Sequence, residues 1–199
     1  SGKKILFVAT KKQAKEILET RIKPTKMPYI TERWSGGMLT TFGTIRKAIR
    51  KMQSIDKMDE DGTMKTLSKR ERLQLSRTRA KLDKNYGSIA EMTRVPAAVF
   101  VIDVLKEHIA VAEANKLGIP TFAMVDTNSD PRSIDFVIPA NDDATKSIDK
   151  ILEKVTGAIL EGLEERKNSK DKVKAEKEEK KAEAKKTEAK EEKKETEAK

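Results

Sequence analysis

The stretch Pro96–Val125, PAAVFVIDVLKEHIAVAEANKLGIPTFAMV, decides the fold. Ala98-Val99-Phe100-Val101-Ile102 is a short run without a polar member, rich in β-branched and aromatic residues, and it stops at Asp103. Such a run reads as a strand covered on both faces, as in a parallel sheet. Residues 107–117 read as a helix with Ile109, Val111, Ala112 and Leu117 turned inward, ended by Gly118 as a C-cap. Thr121–Val125 is another strand of the first kind. Strand and helix alternate, so the sheet is expected to be parallel, with helices on both faces.

Working outward, Ile5-Leu6-Phe7-Val8-Ala9 is a further buried-type strand. Thr10 is placed to cap a helix from Lys11 to about Arg21, with Ala14, Ile17 and Leu18 inward. Pro24 and Pro28 bound a short extended piece, Tyr29-Ile30. On the far side, Asp130-Pro131 is a helix start, Phe136–Pro139 a last buried-type strand, and Asn141 the cap of a last helix. That helix carries Ile148, Ile151, Leu152, Val155, Ile159 and Leu163 on one stripe. These parts assign residues 1–43 and 88–166 to the α/β domain.

Residues 44–87 break the alternation. Ile45, Ile49, Met52 and Ile55 recur three or four apart, with Arg46, Lys47, Arg50 and Lys51 on the other side. Asp59-Glu60-Asp61-Gly62 is a turn, and Ser68 with Glu71 fits a capping box. A second helix runs to about Gly87, with Leu75, Leu82, Tyr86 and Ile89 as its stripe. Two charged helices with thin apolar stripes predict an inserted αα-hairpin, a coiled-coil arm. Before it, two adjacent glycines in Arg33-Trp34-Ser35-Gly36-Gly37-Met38-Leu39-Thr40 mark a loop entering a helix. Residues 167–199 are rich in Lys, Glu and Ala, with only Val173 to anchor a core, and are expected to form a solvated, disordered tail.

Charge divides the chain. Residues 1–94 carry a net +13 and residues 95–166 a net −6, within an overall +10. One face turned toward a polyanion, nucleic acid, accounts for this split. The basic segments lack exposed Trp, Phe and Leu at amphipathic spacing, which disfavours a membrane surface. No apolar run is long enough for a membrane span. Cysteine is absent, which excludes disulfides and zinc-thiolate sites. The chain opens on Ser1-Gly2-Lys3-Lys4 directly before a strand, and sequence is expected to precede it.

The candidate phosphate contacts are Lys11 and Lys12 at a helix start, Lys23, Lys26 and Arg33 in the loops after it, and the hairpin residues Arg46, Lys47, Arg50, Lys51, Lys69, Arg70, Arg72, Arg77 and Arg79. Aromatic residues are 4% of the chain, too few for a stacking platform. Recognition of folded RNA by backbone and shape follows. The competing reading is an α/β enzyme that binds a metal or nucleotide through the strand-end carboxylates Asp103 and Asp126. Neither GxGxxG nor a Walker motif accompanies them, and the single histidine, His108, opens a helix as a surface or cap residue.

Three stretches together resemble a known family. Arg33-Trp34-Ser35-Gly36-Gly37-Met38-Leu39-Thr40 is similar to the RWxGGxLTN element of the bacterial small-subunit ribosomal protein number two. Pro96 with its strand, Asp103, Glu107, His108-Ile109, Glu113 and Gly118-Ile119-Pro120 match a second signature. Val125–Pro131, Asp135–Pro139 and Asn141–Ala144 match a third. The resemblance covers about residues 4–166. Thr41 stands where the family has Asn, and the family's N-terminal Gly-His and Trp-Asn-Pro motifs are absent. The resemblance implies a flavodoxin- or Rossmann-like domain with a coiled-coil insertion and no catalysis or cofactor. It implies a place in the cytoplasmic ribosome against small-subunit ribosomal RNA and neighbouring ribosomal proteins, with ribosomal protein number one among the candidates.

Overall fold

A computed structural model of the chain describes residues 3–169. The tail expected to be disordered lies outside them from residue 170 on. Residues 3–156 form one compact unit, and the helical residues 157–169 belong to a second.

Five strands build the first unit: β1 (Ile5–Val8), β2 (Tyr29–Ile30), β3 (Ala98–Ile102), β4 (Thr121–Val125) and β5 (Phe136–Pro139). They stand in the order β2-β1-β3-β4-β5, every pair parallel. Register aligns Leu6 with Val99 and Val99 with Thr121, so alternate residues share a face. Leu6, Val8, Val99, Val101, Ala123 and Val125 belong to one buried cluster. It is closed by Trp34, Met38 and Leu39, by α2 (Phe42–Glu60) through Phe42, Ile45 and Ile49, and by α4 (His108–Lys116) through Ala110, Val111 and Ala114. Phe7, Phe100, Ile102 and Met124 point the other way. Their cover comes from Ala14, Leu18 and Ile22 of α1 (Lys12–Ile22), and from Ile148 and Leu152 of α5, which begins at residue 145. A bidentate pair between Arg21 and Asp149, at 2.7 and 2.8 Å, ties α1 to α5. The α/β class and its parallel sheet are thus as expected.

The extended piece Tyr29-Ile30 joins the sheet as a strand, because Phe7 N–H donates to Pro28 O and Ala9 N–H to Ile30 O, both at 3.0 Å. Three local expectations are corrected. Thr10 does not cap α1; its backbone N–H and hydroxyl both bond Glu107 Oε1, and Lys11 occupies the cap position with no side-chain bond to the helix end. The inward stripe of α4 is Ala110, Val111, Glu113 and Ala114, whereas Ile109, Ala112 and Leu117 are exposed. Last, β5 is not a covered strand. It has one neighbour, Phe136 is 53% exposed, and Pro139 ends it, which suits an edge.

Asp130-Pro131 does open a turn: Asp130 accepts from Arg132 N–H at 3.0 Å, but the helix is a single 3-10 turn, Pro131–Ser133. Asn141 Oδ1 accepts from Asp143 and Ala144 N–H, both at 2.8 Å, just ahead of α5. The capping box at Ser68 and Glu71 is formed and starts α3 (Lys69–Tyr86). None of α3 is fully buried; Leu75, Leu82 and Tyr86 are half-buried. Asp56, near the end of α2, meets Arg79 in the second half of α3 at 2.8 Å, so the chain doubles back along itself here.

Candidate nucleic-acid interface

The loop 33–40 is where the basic helices join the sheet, and a single carboxylate holds it. Glu113 of α4 is 8% exposed. Its Oε1 accepts from Trp34 Nε1–H at 3.1 Å and Gly37 N–H at 2.7 Å. Its Oε2 accepts from Leu39 N–H at 2.9 Å, Thr40 N–H at 3.1 Å and the Thr40 hydroxyl at 3.3 Å. Burial alone would push this acid up. The converging donors of Leu39, Thr40, Trp34 and Gly37 outweigh burial and hold Glu113 below the usual carboxylate range.

A glycine-rich turn ahead of a helix is a common cradle for phosphate. Here the protein's own glutamate fills it. Gly37 has φ +85°, and a Cβ there would overlap Thr41 Oγ1, which itself donates to Gly37 O at 2.8 Å. Gly36 has open space and an ordinary backbone. Only the second glycine of the pair is therefore required by the turn. Ser35 Oγ and Tyr86 Oη, 3.1 Å apart, fasten the loop to the end of α3.

From this anchor α2 carries its cations outward. Ile45, Ile49, Met52 and Ile55 are buried, and Lys47, Arg50 and Lys51 are exposed with no ion pair among the described residues. Their spacing sets them on one side of the helix. On α3, Lys69, Arg70, Arg72 and Arg77 are likewise exposed and unpaired among the described residues. Arg46 Nη1 donates to Thr93 O at 3.1 Å, which ties α2 to the return toward β3. Arg79 is held by Asp56 and, at 3.6 Å, by Asp83. Arg33 and Lys12 are exposed, and Lys23 and Lys26 border a separate cleft with Lys4.

Lys11 stands elsewhere. Its ammonium lies 2.5 Å from Asp143, 2.8 Å from Asp142 and 3.4 Å from Asp103, at the carboxyl ends of the strands. Burial alone would lower its affinity for the proton, but the bonds to Asp142 and Asp143 raise it above the ordinary lysine value. This corner is also where the enzymatic reading would put its chemistry. Asp126, Asp142 and Asp143 could each offer a metal an oxygen, within 4.8 Å of one another. The Lys11 ammonium already bridges two of the three. Asp103 Oδ1 accepts from Lys106 N–H at 3.1 Å, and Asp126 Oδ1 from Thr127 N–H at 2.7 Å, so both carboxylates fasten loops. His108 is exposed, with Nδ1 3.1 Å from Leu105 O. Nothing in this corner brings a nucleophile and a base together among the described residues. Sequence reasoning missed Glu113 as an anchor and Lys11 as the centre of a carboxylate cluster.

The family model described as Ribosomal protein S2 matches residues 1–162. Several curated relatives are named small ribosomal subunit protein uS2. The one from Flavobacterium johnsoniae is 68% identical over 176 residues, which is 88% of this chain and 69% of the relative. That from Phocaeicola vulgatus is 68% identical over 170 residues, 85% of the chain and 61% of the relative. That from Christiangramia forsetii is 63% identical over 184 residues, 90% of the chain and 62% of the relative. The chain thus spans between 61% and 69% of the length of these three relatives. The matched residues include the Glu113-bound loop, both basic helices and the whole sheet, and the chain belongs to the ribosomal protein S2 family.

Proposed function

We propose that this chain is a non-catalytic constituent of the small ribosomal subunit. It binds ribosomal RNA through phosphates and packs on neighbouring ribosomal proteins within the cytoplasmic ribosome. Ribosomal protein number one is a candidate neighbour. The names of the family and of its relatives support a structural role, and neither denotes an enzyme. No helix among the described residues is long and apolar enough to cross a membrane.

The observation that carries the RNA contact is the exposed set Lys47, Arg50 and Lys51 on α2 with Lys69, Arg70, Arg72 and Arg77 on α3, unpaired among the described residues. Clustered cations release counterions from a polyanion, and the affinity becomes steeply dependent on salt. In this reading α2 and α3 are a hairpin inserted in the α/β domain, and Arg33, Lys12, Lys23 and Lys26 add contacts near its base. Arg46 and Arg79 shape the arm through Thr93 and Asp56, and Lys11 acts within the protein. The test is binding of transcribed small-subunit RNA by the full chain across a salt series. Reversing Lys47, Arg50 and Lys51 to Glu is expected to flatten the slope of log affinity against log salt by about 2. An unchanged slope would remove α2 from the interface.

A further inference from the structure

A cleft of about 390 Å3 opens between the start of β2 and the end of α3, apart from the exposed faces of the basic helices. Its lining combines Lys4, Lys23 and Lys26 with Tyr29, Met27 and Met92. The backbone sets the lysines deliberately. A 3-10 turn, Lys23–Thr25, brings residues three apart onto one side, and Lys26 N–H closes it on Lys23 O at 3.3 Å. Lys26 has φ +54°, a left-handed conformation that lysine seldom adopts. Thr25, 3% exposed, locks the turn by donating to Ile22 O at 2.7 Å and accepting from Met27 N–H at 3.3 Å. Ser88 Oγ donates to Tyr29 O and joins the two walls. One carboxylate enters: Glu91 Oε2 lies 3.7 Å from Lys4 Nζ.

The cleft brings cations together with apolar and aromatic side chains, and falls in the size range of small-ligand sites. That combination suits a phosphate joined to a flat ring. We propose that the cleft receives one extruded nucleotide of the bound RNA, its phosphate on Lys4, Lys23 and Lys26 and its base against Tyr29, Met27 and Met92. The inference rests on the RNA-binding reading above and names one point of contact within it. Glu91 competes with the phosphate for Lys4 and weakens the site.

The test uses the full chain labelled with nitrogen-15, titrated with adenosine 5′-monophosphate and, separately, with inorganic phosphate. The nucleotide is expected to shift the amides of Gly87 and Ser88 and to bind about tenfold more tightly than phosphate, the added affinity coming from base–aromatic contact. Lys23→Gln with Lys26→Gln should weaken nucleotide binding about tenfold. Glu91→Gln should tighten it, a gain that misfolding cannot produce. Absent shifts at the cleft, equal affinity for phosphate and nucleotide, or no gain from Glu91→Gln would each overturn the proposal. The RNA-binding reading fails separately, through the salt slope of the α2 reversal, which does not depend on this cleft.

Discussion

Glu113 and Glu107 are both buried acids, at 8% and 2% exposure, yet they respond to pH in opposite senses. Glu113 is held low, once burial is outweighed by its donors, so its contribution is present above the ordinary carboxylate range and is lost as pH falls through its lowered value. Glu107 is pushed up by burial against the bonds from Thr10, so its contribution is present below the ordinary carboxylate range and is lost as pH rises through its raised value. Glu113→Gln is therefore expected to lower stability at neutral pH by about 2–3 kcal/mol, because a terminal amide faces donors it cannot satisfy. That deficit should shrink in acid. Glu107→Gln is expected to leave neutral stability equal or higher. Denaturant titrations across pH measure both, and a shared direction would refute the pairing. The two glycines also separate. Gly37→Ala should cost about 1–3 kcal/mol through its positive φ and the crowding at Thr41, while Gly36→Ala is expected to change stability little in the same assay.

The elements differ in how far the sequence announces them. The apolar runs of β1, β3 and β4 and the three-or-four spacing on α2 are strong periodic signals, and they were legible. Two-residue β2 has no period to read and exists because β1 offers it an edge. The buried face of α4 includes a glutamate and two alanines, so hydropathy pointed to the larger Ile109 and Leu117, which are exposed. The site was legible only in part. A cluster of cations shows in composition. Which of them are already bound inside the protein depends on partners far along the chain: Asp142 lies 131 residues beyond Lys11. Glu113 gave no motif of its own because four of its five donor contacts come from the backbone or the indole of a loop some 75 residues away. At this scale, Ile49→Ala should destabilise the fold by about 2–5 kcal/mol, since Ile49 is 4% exposed in the core cluster. Ser68→Ala, which removes the α3 cap, should cost about 1 kcal/mol. Urea unfolding ranks the two, and the reverse order would contradict the burial described.

For the molecule as a whole, the charge split becomes a statement about orientation. Reversing Lys116 and Lys154 to Glu, two cations of the acidic half, is expected to change RNA affinity far less than an equal reversal at Lys47 and Arg50. If the two reversals had the same effect, net charge alone would govern binding and the exposed faces of α2 and α3 would have no special role.

The grip of Glu113 on the loop before α2 also bears on the order of events during synthesis. A growing chain emerges amino end first, so the cationic helices leave the exit tunnel well before the residue that seats them. Until then Gly37, Leu39 and Thr40 have no internal acceptor, and the helices are exposed to any nearby nucleic acid without a fixed bearing. Completion of α4 is the moment at which a loose polycation becomes an oriented one.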